Sequence, residues 1–277
     1  MLHFDHAVHA VRDLDRAAAT YRRLGFTLTA RGGHPKLGTA NHTVMLGRTY
    51  LELLTVVEPR EENRRWRETL AAGEQLASIA YGSRDAAHTQ ATLRARGIAA
   101  SDLLDFSRPV RLDGAVVEAR FTITQLPAEA TPALPGFVCQ HHTPELVWRP
   151  EWQRHANAAT ELVALTIVHP DPAAVTPAYD RLLGRASVHP HPGGIALDLL
   201  GTRIWIVSPV YAAHRLGQPA SAFGQARGIG LTVAVRDLGA ARRWLDDQSV
   251  PHTAFGRRSV MIPDSQAHGV TIELLAS

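Results

Sequence analysis

A single cysteine, Cys139, excludes any internal disulfide. One thiol suits a reducing compartment, so a cytoplasmic location is expected. Aromatic residues are scarce at 6% of the chain, and no stacked aromatic platform accompanies the basic pairs Arg22-Arg23, Arg64-Arg65 and Arg242-Arg243. Solvated helix faces explain these pairs, and nucleic acid is not an expected partner. No apolar run approaches the roughly 18 residues of a membrane span. The start, with Asp5 flanked by His3 and His6, has neither the basic opening nor the apolar core of a signal peptide, so no membrane partner is expected either. Also missing are a Gly-x-Gly-x-x-Gly fingerprint, a phosphate-binding Walker loop, a nucleophile elbow and a Cys-x-x-Cys pair.

What is present is a repeat. Ala10-Val11-Arg12-Asp13-Leu14 recurs letter for letter as Ala234-Val235-Arg236-Asp237-Leu238. Each copy follows an apolar strand-like run and precedes a helical pattern, with an aspartate placed to cap the helix. The first unit closes on Tyr50-Leu51-Glu52-Leu53-Leu54 and the last on Thr271-Ile272-Glu273-Leu274-Leu275. Aligning the helix ends at Gly25, Gly97 and Gly184 reveals two further copies, and sets Ser78, Leu165 and Gly230 opposite His6. The expected fold is therefore α+β: four βαβββ modules paired into two curved, incompletely closed mixed β-sheets with helices outside. With 277 residues and 45% hydrophobic content, two domains are affordable by size: residues 1–142 as the first module pair, 143–158 as a linker and 159–277 as the second pair.

Local signals fill in the first two modules. Leu2 to Val11 reads as a strand, with Phe4, His6 and Val8 on one face and Asp5, Ala7 and His9 on the other. Leu14 to Leu24 reads as a helix, Phe26 to Ala30 as the beginning of a return strand, and the Gly/Pro-rich stretch from Arg31 to Thr39 as a loop. A hairpin over 41–57 follows, then a charged bridge over 58–73. In the second module Asp113-Gly114 marks a turn into a strand over 115–124, and Phe137 to His142 closes the unit. Residues 209–226 read as a connection between the last two modules.

Paired modules can close a sheet around a cleft, with first and last strands contributing inward side chains. On that geometry His6, Glu52 and His141 converge in the first pair. Two imidazoles and a carboxylate suit a divalent ion such as Fe, Mn, Zn or Ni, with positions open for substrate and water. His141 and His142 exchange places if the alignment slips by one residue. Asn41, Ser78, Trp148 and Arg149, with Lys36, are expected around a small-molecule substrate. In the second pair Glu273 matches Glu52 without imidazoles beside it, so a hydrogen bond or salt bridge is expected there. His189 and His191 fall in what reads as a solvated hairpin loop.

The run Phe4-Asp5-His6-Ala7-Val8-His9-Ala10-Val11-Arg12-Asp13-Leu14, with Gly38-Thr39-Ala40-Asn41-His42 and Tyr50-Leu51-Glu52-Leu53, resembles the glyoxalase-like branch of the vicinal oxygen chelate superfamily. The resemblance implies paired βαβββ modules, a metal in the cleft and a substrate that chelates it through two oxygens. Family ligands carried over by position fall on His6, Glu52 and His141, while Ser78 stands at a corner where glyoxalase I has a ligand, so the resemblance implies that Glu52 is both ligand and catalytic base. The implied function is a metal-dependent lyase, isomerase or dioxygenase, with a homodimer as the candidate assembly. A non-catalytic binding or sequestering protein of the same fold is the alternative.

Overall fold

A computed structural model describes residues 2–112 and 114–277. The first module comprises β1 (His3–Ala10), α1 (Leu14–Arg23), β2 (Gly32–His34), β3 (Thr39–Leu46) and β4 (Thr49–Val56). After α2 (Arg64–Ala72) comes the second, with β5 (Gln75–Gly82), α3 (Ala86–Ala95), β6 (Leu104–Leu112), β7 (Ala115–Gln125) and β8 (Gly136–His141). The third holds β9 (Ala159–Val168), α4 (Thr176–Leu183), β10 (Val188–His191), β11 (Gly194–Leu199) and β12 (Thr202–Val207). Helix α5 (Pro209–Leu216) precedes the fourth, with β13 (Arg227–Val235), α6 (Leu238–Asp247), β14 (Thr253–Phe255), β15 (Ser259–Ile262) and β16 (Thr271–Ala276).

The repeat is visible in how helices begin. Asp13, Asp85 and Asp237 each turn a carboxylate onto backbone N–H groups of the first turn of α1, α3 and α6. That satisfies donors which the helix itself leaves unpaired. In every module the last strand runs parallel to the first, and first strands pair antiparallel, β1 with β5 and β9 with β13. The sheet stays open, and the two pairs join where Gly228 of β13 meets Leu76 of β5. A Cβ on Gly228 would run into the Leu76 side chain, so this seam requires glycine.

Each sheet separates two environments. On the outer face, Phe4 and Ala7 of β1 and Val11 just beyond it pack with Leu14, Ala17, Tyr21 and Leu24 around α1. On the inner face, Val8, Tyr50, Trp66, Phe121 and Phe137 form a second apolar cluster facing the first cleft. Among the described residues no helix is long and apolar enough to cross a membrane.

Several local expectations need correction. Phe26 to Ala30 forms no strand, and the Gly/Pro-rich stretch taken for a loop contains β2, which pairs Gly32 with Asn41. The tract with His189 and His191 is strand β10, and the connection after Pro209 contains α5. Of the expected turn at Asp113-Gly114, Asp113 lies outside the described residues.

Candidate active site

The site begins with a break in the alternation of β1. Phe4 pairs with Tyr81 and His6 with Ala80, so Asp5 is an extra residue with no partner in β5. A bulge of this kind lets two successive side chains share one side of the sheet. Asp5 therefore joins His6, and Phe4 crosses to the helix side, the reverse of the strict alternation expected from sequence. A second irregularity on β5 skips Ala77, between Val8↔Ser78 and His9↔Leu76.

Asp5 is 2% exposed and accepts two hydrogen bonds on Oδ2, from His141 Nε2 at 2.8 Å and from His6 Nδ1 at 3.2 Å. Burial opposes its ionisation, but the hydrogen bonds and charges of His141 and His6 prevail and hold the carboxyl well below the ordinary range. With Nδ1 turned to Asp5, the other nitrogen of His6 faces Glu52, at 3.7 Å between Nε2 and Oε2. Tyr50 stacks on the His6 ring at 4.2 Å, and Phe137 meets it edge-on at 5.5 Å. Glu52 is fixed from its other oxygen, where Asn41 Nδ2 donates at 2.6 Å to Oε1. These contacts form a line, His141 to Asp5 to His6 to Glu52 to Asn41.

His6, Asn41 and Glu52 open into a cavity of about 490 Å³. Its apolar walls include Val8, Leu54, Trp66, Phe106, Phe121 and Phe137, and its other polar groups include His34, Arg65 and Arg108. His34 bonds Thr39 Oγ1 through Nδ1 at 3.0 Å. Burial holds its pKa down, as do the charges of Arg108 and His6, against the opposing pull of Glu52. Arg65 donates to Gln125 at 2.7 Å and lies over the Trp66 ring at 4.0 Å. Burial lowers its pKa to about 10, with Glu52 pulling the other way. Burial, reinforced by Asp5 and Glu52, pushes the Cys139 thiol well up, which suits neither nucleophile nor metal ligand.

Other residues expected in the site are placed elsewhere. His141 does not line the cavity; its ring packs against Trp148 at 4.6 Å, and its buried Nδ1 has no partner. Ser78 donates to the Pro135 carbonyl at 2.9 Å, and Arg149 pairs with Glu151. Lys36 and His142 border a separate depression, where His142 Nε2 bonds Thr122. His9 lies buried between Tyr21 and the His268 carbonyl, both at 2.9 Å. Asp5, His34, Arg65 and Arg108 are the side chains that sequence reasoning missed. A polar Asp-His pair inside an apolar strand was the available signal for Asp5.

The second module pair has its own cavity of about 890 Å³, lined by His191, Trp205, Tyr211, Arg215 and Glu273 among others. There Glu273 is ion-paired with Arg215 of α5 at 2.5 Å and accepts from Ser259 at 2.7 Å. The expected salt bridge is present.

The sequence model of the glyoxalase-like domain family matches residues 4–183. Among solved structures, a hypothetical protein from Staphylococcus aureus aligns over 100% of both chains with a TM-score of 0.71 and 14% identity. A mutant of 4-hydroxymandelate synthase from Streptomyces coelicolor aligns over 100% of this chain and 93% of its own, with a TM-score of 0.57 and 14% identity. At such identities the likeness is one of fold. No curated protein matches the sequence.

Proposed function

The chain belongs to the glyoxalase-like domain family of the vicinal oxygen chelate superfamily, and from that premise we propose that its first cleft is the active site of a divalent-metal-dependent enzyme. The substrate is a small oxygen-chelating molecule, and the reaction belongs to the lyase, isomerase or dioxygenase classes. One observation carries the reading: His6 Nε2 and Glu52 Oε2 face each other at 3.7 Å with no hydrogen bond between them. That gap exceeds a hydrogen bond of about 2.7–3.2 Å, and two metal bonds of about 2.0–2.2 Å span it. An imidazole tied to a carboxylate through its far nitrogen, as His6 is to Asp5, is the usual support of a histidine ligand.

In this proposal His6 and Glu52 hold the ion, and His141, expected from sequence as the third ligand, acts one step behind. Asp5, His6 and His141 have atoms within 4.8 Å of one another, but two hydrogen bonds to Asp5 already join them. When bound, the ion supplies Lewis acidity and lowers the pKa of coordinated water. Asn41 holds Glu52 in orientation, Asp5 fixes the His6 tautomer, and the aromatic walls keep bulk water from the reacting atoms. Residues 1–142 act as the catalytic module pair, 143–158 as a linker and 159–277 as the second pair, in a cytoplasmic protein.

Metal content measured after reconstitution with Fe(II), Mn(II), Zn(II) or Ni(II) tests the reading. Wild-type protein is expected to retain close to one ion per chain, which His6→Ala and Glu52→Gln lose and His141→Gln keeps with weaker affinity. Protein that takes up none of the four ions, or variants that keep them, would sink it. A metal-free protein with a small molecule held in the apolar cleft would favour the sequestering alternative.

A further inference from the structure

One buried charge in the cleft lacks a counterpart. Arg108 lies on β6, is 7% exposed and lines the cavity that holds His6, His34, Asn41 and Glu52. Among the described residues no carboxylate lies within ion-pair distance of its guanidinium, and no group accepts a hydrogen bond from it. Its neighbours carry no negative charge: the Phe121 ring centroid is 5.9 Å away, and a Cβ built on Gly32 would sit 3.3 Å from Nη1 and closer still to the Asn41 amide oxygen. Of the other charges that line the cavity, Glu61, Glu62 and Glu68 are exposed at its rim, Glu61 and Glu68 beside Arg64. Arg65 is held by Gln125 and Trp66, and Glu52 by Asn41. A guanidinium that opens into the cavity without a counterion from the chain has its donors free for a guest. Its fork of donors matches a carboxylate or phosphate.

We propose that Arg108 anchors an anionic oxygen group of the substrate, so that the molecule taken by this cleft carries a carboxylate or phosphate at one end. This rests on the first cleft being the substrate site, and it adds the charge of the substrate and the residue that selects it. The anion sits at Arg108 and the rest of the molecule extends between the aromatic walls towards His6 and Glu52. Arg108 lines the same cavity as His6 and Glu52, which puts the anchor and the reacting pair within one enclosure.

Calorimetric titration of chelator-treated protein with benzoate, its neutral counterpart benzamide and inorganic phosphate tests the anchor without any metal. Saturable binding of benzoate or phosphate with no matching benzamide binding supports it, and the anion that binds identifies carboxylate or phosphate as the recognised group. Arg108→Met should weaken that binding about tenfold or more, since a charged hydrogen-bonded pair is lost, whereas Arg108→Lys retains part of it. Because the wild-type charge is unneutralised, ligand-free Arg108→Met should melt no lower than wild type; a purely structural arginine would give a clear drop. Absence of saturable anion binding, benzamide binding as tightly as benzoate, or unchanged affinity in Arg108→Met overturns the proposal. Metal uptake without anion binding removes this inference alone, and anion binding without metal uptake removes only the metal reading.

Discussion

Replacing Asp5 by Asn separates the line of contacts behind His6 from the cleft in front of it. Asp5 receives two charge-assisted hydrogen bonds while 2% exposed, and each is worth about 1.5–3 kcal/mol in such a setting. The asparagine oxygen keeps one neutral bond of about 0.5–1.5 kcal/mol, while its amide turns N–H groups towards the other imidazole. The net loss is about 2–4 kcal/mol, a large part of an ordinary domain's stability. The carboxyl is held below its ordinary value in the folded chain, so its contribution is complete above the unfolded value near 3.8 and is lost only as the pH falls further. Urea unfolding followed by circular dichroism at pH 7 measures the loss, and metal titration of the same variant should show about 10–100-fold weaker binding, as expected when a ligand's orienting partner is removed. A change below about 0.5 kcal/mol together with unaltered metal affinity would refute the role given to Asp5, because surface-like substitutions fall in that range.

Two further perturbations probe the surroundings. Burial depresses the His9 pKa from 6.5 to about 4, against a partly opposing hydrogen bond to the His268 carbonyl. Unfolded chains then bind the proton first as the medium acidifies, so about 3 kcal/mol of stability is present above pH 6.5 and is lost as the pH falls towards 4. His9→Gln should flatten that part of the stability curve in urea titrations at pH 7.5 and 4.5; an equally steep decline would contradict the assignment. In Gly32→Ala the new methyl presses on Asn41 and on Arg108 Nη1, 3.3 Å away, and disturbs the support of Glu52. Metal affinity should fall about tenfold with little change in unfolding midpoint, and a large midpoint shift with unchanged affinity would show that the glycine serves packing instead.

The module rhythm was legible because each unit repeats one strand, one helix, aspartate-capped in three of the four, and a closing hairpin, and local spacing reports all three. The bulge was not. Alternation assumes two residues per pleat, and whether β1 carries an extra residue depends on its pairing with β5, some seventy positions away in sequence. Strict alternation sets Asp5 on the face opposite His6, and the bulge returns it to the side of His6 and His141. Arg108 was hidden for a different reason. Its strand β6 contains Ser107, Arg108 and Pro109, which carry little strand signal, and it is ordered by nine register positions with β7. His34 sits where Gly32, Gly33 and Pro35 suggest only irregular chain, yet pairing with β3 makes a short strand of it. Glu52 and Asn41 line the cavity from a regular hairpin, whose register follows from its turn and sets both side chains on one face.

Arg215, which ion-pairs with Glu273, comes from α5, a helix outside the four-module rhythm. The repeat places two acids alike, Glu52 and Glu273, and a helix stands between the modules of each pair, α2 in the first and α5 in the second. The acid at the far end thus has an internal counterion, whereas its twin meets only the Asn41 amide and the His6 imidazole. Inherited likeness of position has therefore not carried likeness of charge: one cleft holds its carboxylate neutralised from within, and the other leaves that office to whatever enters.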